Sequence, residues 1–527
     1  VPRVKVDATA AKNPKRNLKF PKLTRLKLSL PRFFSFKNWS LPKFRLPKWQ
    51  KLKLDIIPEL EPNPVLVKPR WTNFLTAGFV GLISLIFVLL IAQLFLARTI
   101  SRMPGGNNTN SAQFDSLAKC EPNQLAKLSE ALDVKINRQW YLIGKEFIGR
   151  DPLDGELKVD TTLLGCAPRD LKIVYKITGT ELAAEQKTTS KDNYKISLDI
   201  SSLGVGSYEL GLDVYKADST EANFTKKMPF YISKPVYVAW TLDWDGYNFS
   251  DNYLTQINQL TDRAQRVPIT HFFNPIYSIS GGTLQRRGKY FADWIKGRQG
   301  QYGDEVGLHI HMFYAIAEAA GVTPRTEPTW NTRGTGSDVP LSSYTLEEQR
   351  KIIAWSKKAL ENQGFTSQVS FRAGGWFANL DTLKALEELG FKIESSGRTA
   401  YGLGNNLSGP WKLDAGAQPY FPCRNNQNAA CNGSSAFSIM ELPNNGGESY
   451  RFSTKQLIDR FRINFDGKPQ SSHRAINFLS HPEWFNIDYP KMTSLFETID
   501  QHLYANDKGP VLYATVENTY QAIISNR

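Results

Sequence analysis

Apolar and polar positions change their rhythm several times along the chain. In residues 1–70, Phe, Trp and Leu are interleaved with Lys and Arg, and prolines recur too often for a long helix. Between Arg70 and Arg98 lie 27 residues without a charge, with FLTAGFVGLISLIFVLLIAQLFLA at 74–97 as their core. A helix of about 20 apolar residues spans a ~30 Å hydrocarbon layer, so this run predicts one transmembrane helix at 71–100. Residues 101–129 open with Gly, Asn and Ser and read as a linker. From 130 to 234 short alternating runs such as LKIVYKITG, YKISLDIS and YELGLDVYKA are separated by turn residues, which predicts an all-β, Ig-like sandwich. At 235 the texture changes again. PVYVAWTLDWDG, VPITHFFNP and DEVGLHIHMFY read as buried strands, and NYLTQINQLTDRAQR, LEEQRKIIAWSKKALENQG and LDTLKALEELG as helices. Strands alternating with helices over 235–527 predict an α/β unit with a mainly parallel sheet, open or closed into a barrel.

Charge refines this division. Residues 1–70 hold 18 Lys and Arg against 4 Asp and Glu, whereas the other 457 residues hold 47 against 46. The net charge of +15 therefore belongs to one tail, and a uniformly basic nucleic-acid-binding protein is excluded. Basic residues flank membrane spans on the cytoplasmic side. The expected localisation is thus the cell membrane, single-pass, with everything after about 100 extracytoplasmic and the basic arm inside, either a disordered, solvated tail or a segment lying on anionic membrane lipid. All four cysteines fall after the span, where disulfides persist. Of three possible pairings, Cys423–Cys431 with Cys120–Cys166 is preferred: the first closes a short Asn-rich loop and the second pins the linker to the β unit.

Candidate chemistry lies at predicted strand ends, where βα-loops place reactive groups. In TLDWDG, alternation puts Asp243 and Asp245 on one face, and two neighbouring carboxylates need a cation or a shared proton. In GLHIHMF, His309 and His311 share a strand face, a spacing suited to chelating Zn²⁺ or a similar ion. Arg372 in SFRAGGW and His481 in FLSHPEWF each follow an apolar strand.

Taken together, these motifs resemble the polysaccharide deacetylase superfamily (NodB-homology, carbohydrate esterase family 4-like) over about 236–527. TLDWDG resembles the first motif, DEVGLHIH the second, FRAGGW the Arg-bearing third, PYFPC with IMELP the fourth, and LSHP the fifth. The resemblance implies a deacetylase-like (β/α) barrel removing acetyl groups from a cell-envelope or exported polysaccharide, with Zn, Ni or Co as metal. It also implies roles: Asp243 as general base, Asp245 and His309 as metal ligands, Arg372 orienting the base, and His481 as general acid. Two departures matter. Trp244 separates an Asp pair that is usually adjacent, so the base and ligand labels are exchangeable. The second motif usually carries histidines four apart; position 313 is Phe, and strand geometry makes His311 the substitute third ligand. Trp244, Phe313, Trp376 and Trp484 are candidates to stack on sugar faces.

Other readings stay open. A pseudoenzyme would keep the fold and bind glycan without a working metal. A glycosidase would use Glu441 and Glu483. An amidohydrolase-type metal enzyme also uses a His-x-His pair, but on its first strand. An anchored structural component of an envelope complex, with protein partners, is a different class again.

Overall fold

In the computed structural model, residues 116–527 are described, apart from 148–150, 188–191, 217–218, 264, 280, 332–333, 367, 399–401 and 404–406. The basic arm, the predicted span and most of the linker lie outside the described residues. Among the described residues no helix is long and apolar enough to cross a membrane. That finding corrects the expected single-pass membrane localisation, since no described element supplies a span.

Among the described residues of 132–233 the alternation resolves into eight strands: β1 (Leu132–Ile136), β2 (Trp140–Leu142), β3 (Leu153–Val159), β4 (Lys172–Ile177), β5 (Ala183–Lys187), β6 (Asn193–Leu198), β7 (Gly206–Tyr215) and β8 (Phe224–Ser233). They form two sheets, ordered β1-β3-β6 and β2-β8-β7-β4-β5. In β6 Tyr194, Ile196 and Leu198 are buried while the residues between them face water, the period of two that a half-covered sheet requires. Leu157 and Ile196 share one core with Ile173, Leu212 and Phe230 of the other sheet. Two sheets around one core are present; nothing beyond this strand order ties the unit to the Ig class. The Cys120–Cys166 disulfide is formed as expected and fastens the incoming segment to this core.

Only residues 234–235 separate β8 from β9 (Val236–Trp244). The β unit is held to the α/β unit by more than this link. Asp507 accepts the backbone N–H groups of Gln139 and Trp140 at 2.7 and 2.9 Å. Glu146 accepts the Tyr237 hydroxyl at 2.6 Å and also the Asn526 amide.

Beyond β9 come β10 (Ile269–Phe273), β11 (Glu305–Ile310), β12 (Ser370–Ala373) and β13 (Ile393–Glu394). A long excursion then carries two short hairpins, β14 (Gly402–Leu403) with β15 (Leu407–Ser408) and β16 (Pro422–Cys423) with β17 (Asn426–Ala430). The second is closed by the expected Cys423–Cys431 disulfide. The chain returns through β18 (Met440–Glu441), β19 (Gly447–Glu448), β20 (Arg474–Ser480) and β21 (Val511–Tyr513).

The main sheet runs β18-β13-β12-β11-β10-β9-β20-β19, with β21 also on β9, and its ladders are parallel. Every residue of β9 is buried, because helices cover one face and side chains fill the other. The two edge strands, β18 and β19, are joined by residues 442–446 alone. Such a link reaches ~20 Å at ~3.3–3.6 Å per residue. A flat path of eight strands spaced ~4.8 Å apart would hold its edges ~34 Å apart. The sheet must therefore curl, and it does so as a half-barrel whose hydrogen-bonded ladder is not continued between β18 and β19 among the described residues. The crossover helices start at strong caps. Thr345 with Glu348 and Ser453 with Gln456 form capping boxes, which satisfy N–H groups that the first helical turn leaves unpaired.

Candidate active site

Strand polarity brings the C-terminal ends of β9, β11, β12 and β20 to one rim of the curled sheet, and with them all six residues singled out in the sequence. Asp243 and Asp245 face a cleft of about 190 Å³ that His309, His311 and His481 also line. Trp244, between the aspartates, points the other way. It is wholly buried against Phe273, Phe291 and Trp294, and its Nε1 donates to His271 Nδ1 at 3.3 Å. The expectation that Trp244 stacks on a sugar is therefore wrong: the same alternation that aims the aspartates inward sends the indole into the helix layer. Phe313 is likewise no part of the cleft wall; it packs on Tyr247. Gly246 turns the chain directly after Asp245, at φ 96°. A Cβ there would lie 2.5 Å from Ile276 Cγ2.

The geometry separates the two aspartates. Asp245 Oδ1 lies 3.2 Å from His309 Nε2 and 3.1 Å from His311 Nε2, and the three ligand atoms fall within 4.8 Å of one another. Each imidazole is fixed from behind. His309 Nδ1 is 2.9 Å from the Arg372 carbonyl and His311 Nδ1 is 2.8 Å from the Ser337 carbonyl. A carbonyl only accepts, so each Nδ1 carries a proton, and each Nε2 faces the Asp245 carboxylate, open to a cation or to a second proton. Three acceptors converging in a nearly dry site are stable only around a cation or a proton. Burial works against a charged His311 ring, but the Asp245 carboxylate outweighs it and raises the imidazole to about 8. Burial also opposes ionisation of Asp245, yet His311 and His481 hold its carboxyl well below the usual range.

Asp243 belongs instead to Arg372. The guanidinium is fully buried, lies 4.3 Å from the Phe272 ring centre, and spends each arm on a specific acceptor. Nη1 donates to Asp243 Oδ1 and Thr241 Oγ1, both at 2.7 Å, while Nε and Nη2 donate to the Ser395 carbonyl and hydroxyl at 2.8 and 2.9 Å. Asp243 is thereby held with its charge balanced, beside the ligand cluster and not within it.

His481 stands across the cleft. Its Nε2 is 3.8 Å from Asp245 Oδ2, and its Nδ1, buried without a hydrogen bond, is 3.8 Å from Glu448 Oε1. Burial raises the Glu448 carboxyl, partly offset by the charge on His481. Trp484 packs edge-on against His481 and joins Trp376, Trp330 and Tyr450 in the walls, so two of the four aromatic candidates lie where expected. The approach is tight on the β12 side. A Cβ on Gly374 would come within 2.9 Å of His311 Cγ.

Sequence reasoning missed Glu448, Tyr450, Arg451, Trp330 and the Ser337 carbonyl. Glu448 ends the two-residue strand β19 and the others reside on loops, all without a repeating pattern, and a backbone carbonyl carries no residue signature at all. The glycosidase alternative loses its residues here. Glu483 lies behind the site, where Oε1 accepts the Asp245 backbone N–H at 2.9 Å; burial and the Asp245 charge push its carboxyl well up. Glu441 is wholly buried on β18. Neither lines the cleft, so the pair cannot flank a glycosidic bond there.

No family model and no curated relative matches the chain. Solved structures do. A protein of Mycobacterium smegmatis described as a polysaccharide deacetylase aligns at 15% identity over 56% of this chain and 91% of its own, with a TM-score of 0.34. A family 4 carbohydrate esterase of Streptomyces lividans aligns at 11% identity over 54% and 94%, with a TM-score of 0.28. The peptidoglycan deacetylase PdaC of Bacillus subtilis aligns at 13% identity over 55% and 91%, with a TM-score of 0.26. At these identities and scores the alignments add no argument about activity.

Proposed function

We propose that the protein is a metal-dependent deacetylase acting on an acetylated polysaccharide. One observation carries this reading: Asp245, His309 and His311 converge within 4.8 Å, while Asp243 and His481 line the same cleft. The donor set of one carboxylate and two imidazole Nε2 atoms fits a divalent ion such as Zn²⁺, with Ni²⁺ or Co²⁺ as substitutes. A bound ion would supply Lewis-acid chemistry, activating water and polarising the acyl carbonyl. The chain's own residues do the rest. Asp243, oriented by Arg372, takes the proton of the attacking water. His481, on the other side, gives a proton to the departing amine or alcohol. Trp376 and Trp484 wall the cleft where a sugar ring would lie. For 130–234 we keep the Ig-like sandwich as a spacer, supported by its strand order alone.

The test is elemental analysis of the purified full-length chain, combined with acetate release from acetylated oligosaccharides. Stoichiometric metal with acetate release supports the proposal. No metal and no acetate would leave the pseudoenzyme reading in its place.

Two results are expected of this site. H481A keeps its metal but loses roughly 10²–10⁴-fold in rate, the usual contribution of a general acid; an unchanged rate would remove His481 from the reaction. Metal affinity should also depend on pH. A ligand nitrogen binds only without its proton, and His311 in the metal-free site holds one up to about 8. Apparent affinity, measured by competition with a chelator, is thus expected to fall about tenfold per pH unit below that value. A flat profile between pH 6 and 8, read with the same chelator, would exclude His311 as a ligand.

A further inference from the structure

Glu394 and Glu441 have no part in the reaction as drawn, yet they are two wholly buried carboxyl groups side by side. They occupy paired positions on the adjacent parallel strands β13 and β18. Each spends one oxygen on a backbone donor: Ser396 N–H reaches Glu394 Oε1 and Gly397 N–H reaches Glu441 Oε1, both at 2.9 Å. The other oxygens, Glu394 Oε2 and Glu441 Oε2, are buried and meet no donor. The register sets the two carboxyls side by side across β13 and β18, and each shifts the other's ionisation. Two acceptors so placed need a proton between them. Facing the pair are the Arg372 guanidinium, from β12, and the Tyr420 phenol, from the segment bridged to Glu441.

What the pair grips matters for the site. Its two backbone donors, at 396 and 397, directly follow Ser395. Ser395 gives Arg372 both its carbonyl and its hydroxyl, and the Ser396 hydroxyl accepts the Ala373 N–H at 2.9 Å. The Ser395 hydroxyl is itself set by donating to the Leu442 carbonyl at 2.9 Å, one residue after Glu441. The bend 394–397 is thus clamped at one end by the acid pair and presents its acceptors to the guanidinium that holds Asp243.

We propose that Glu394 and Glu441, sharing one proton, are positioning residues for the deacetylase reaction, acting through Ser395 and Arg372 on Asp243. This rests on the function proposed above. Burial pushes both carboxyls up, and the neighbouring Glu394 charge pushes Glu441 further. A carboxyl raised in the folded state contributes stability that is complete below the ordinary glutamate range and lost as pH rises through the folded value. Alkaline pH therefore removes the shared proton, loosens the bend and releases Arg372.

The experiment compares the full-length wild type with E441Q and E441A in thermal stability against pH and in kcat and KM for acetate release. Glutamine keeps an acceptor for Gly397 and offers Glu394 a donor that never titrates. The Tm of E441Q should gain on that of the wild type as pH rises from about 5 to about 9, and its kcat should persist further into alkali. E441A should lose about tenfold or more in kcat, the range seen when an outer partner of a site is removed, with KM unchanged. Parallel Tm profiles for wild type and E441Q would overturn the shared proton. Wild-type kcat in E441A, measured well below its Tm, would overturn the positioning role. The stability profile needs no substrate, so a wild type that releases no acetate would count against the deacetylase reading alone.

Discussion

Replacing Asp245 by alanine is expected to strip the protein of its metal and its activity in one step while leaving the fold in place. The carboxylate is the shared partner of His309 and His311, at 3.2 and 3.1 Å, and no other acidic group completes that cluster among the described residues. Without it two imidazoles remain, too few for a closed structural site or an open catalytic one. The loss in kcat/KM should exceed the roughly 10–100-fold that accompanies removal of a group merely supporting a ligand. The fold survives because the strong backbone bond at this position, from the Asp245 N–H to Glu483, does not use the side chain. Elemental analysis, acetate release and thermal melting of D245A measure the three parts separately. Retained metal with retained activity would reject the ligand set.

Arg372→Ala is expected to damage the fold as well as the reaction. The guanidinium is wholly buried and its bonds reach Thr241, Asp243 and Ser395 together. Removing one partner of a buried ion pair costs about 3–5 kcal/mol, because the other charge stays behind unpaired. At roughly 2–4 °C per kcal/mol for a large domain, Tm should fall by about 10 °C. Arg372→Lys replaces a planar fork by a single ammonium, so it should recover part of the stability but little of the rate. A melting temperature within a degree or two of wild type for R372A would show that Asp243 is not held by this pair.

Much of the site is legible in the sequence. The β11 strand carries two histidines two positions apart, and a strand leaves such residues no choice but to share a face. The same rule pairs Asp243 with Asp245 and, carried one residue further, sends Trp244 to the opposite side. A sugar-stacking role for Trp244 conflicts with that alternation. The sequence could not say which aspartate joins the histidines, since that depends on how far β9 is shifted against β11 and on where the turn at Gly246 releases the chain. The carbonyls of Arg372 and Ser337, which set both histidine tautomers, are invisible to residue type. Glu394 and Glu441 lie 47 positions apart and become neighbours only through the pairing of β13 with β18. The curl of the sheet, in contrast, follows from the short link between its two edge strands once the strand order is known.

The bonds from Asp507 and Glu146 to the β unit, with only residues 234–235 between β8 and β9, bear on how the molecule works at range. A two-residue hinge braced from both sides does not swivel. Whatever the eight-stranded unit is attached to, the cleft is presented at a fixed bearing from it, like a tool bolted to its handle.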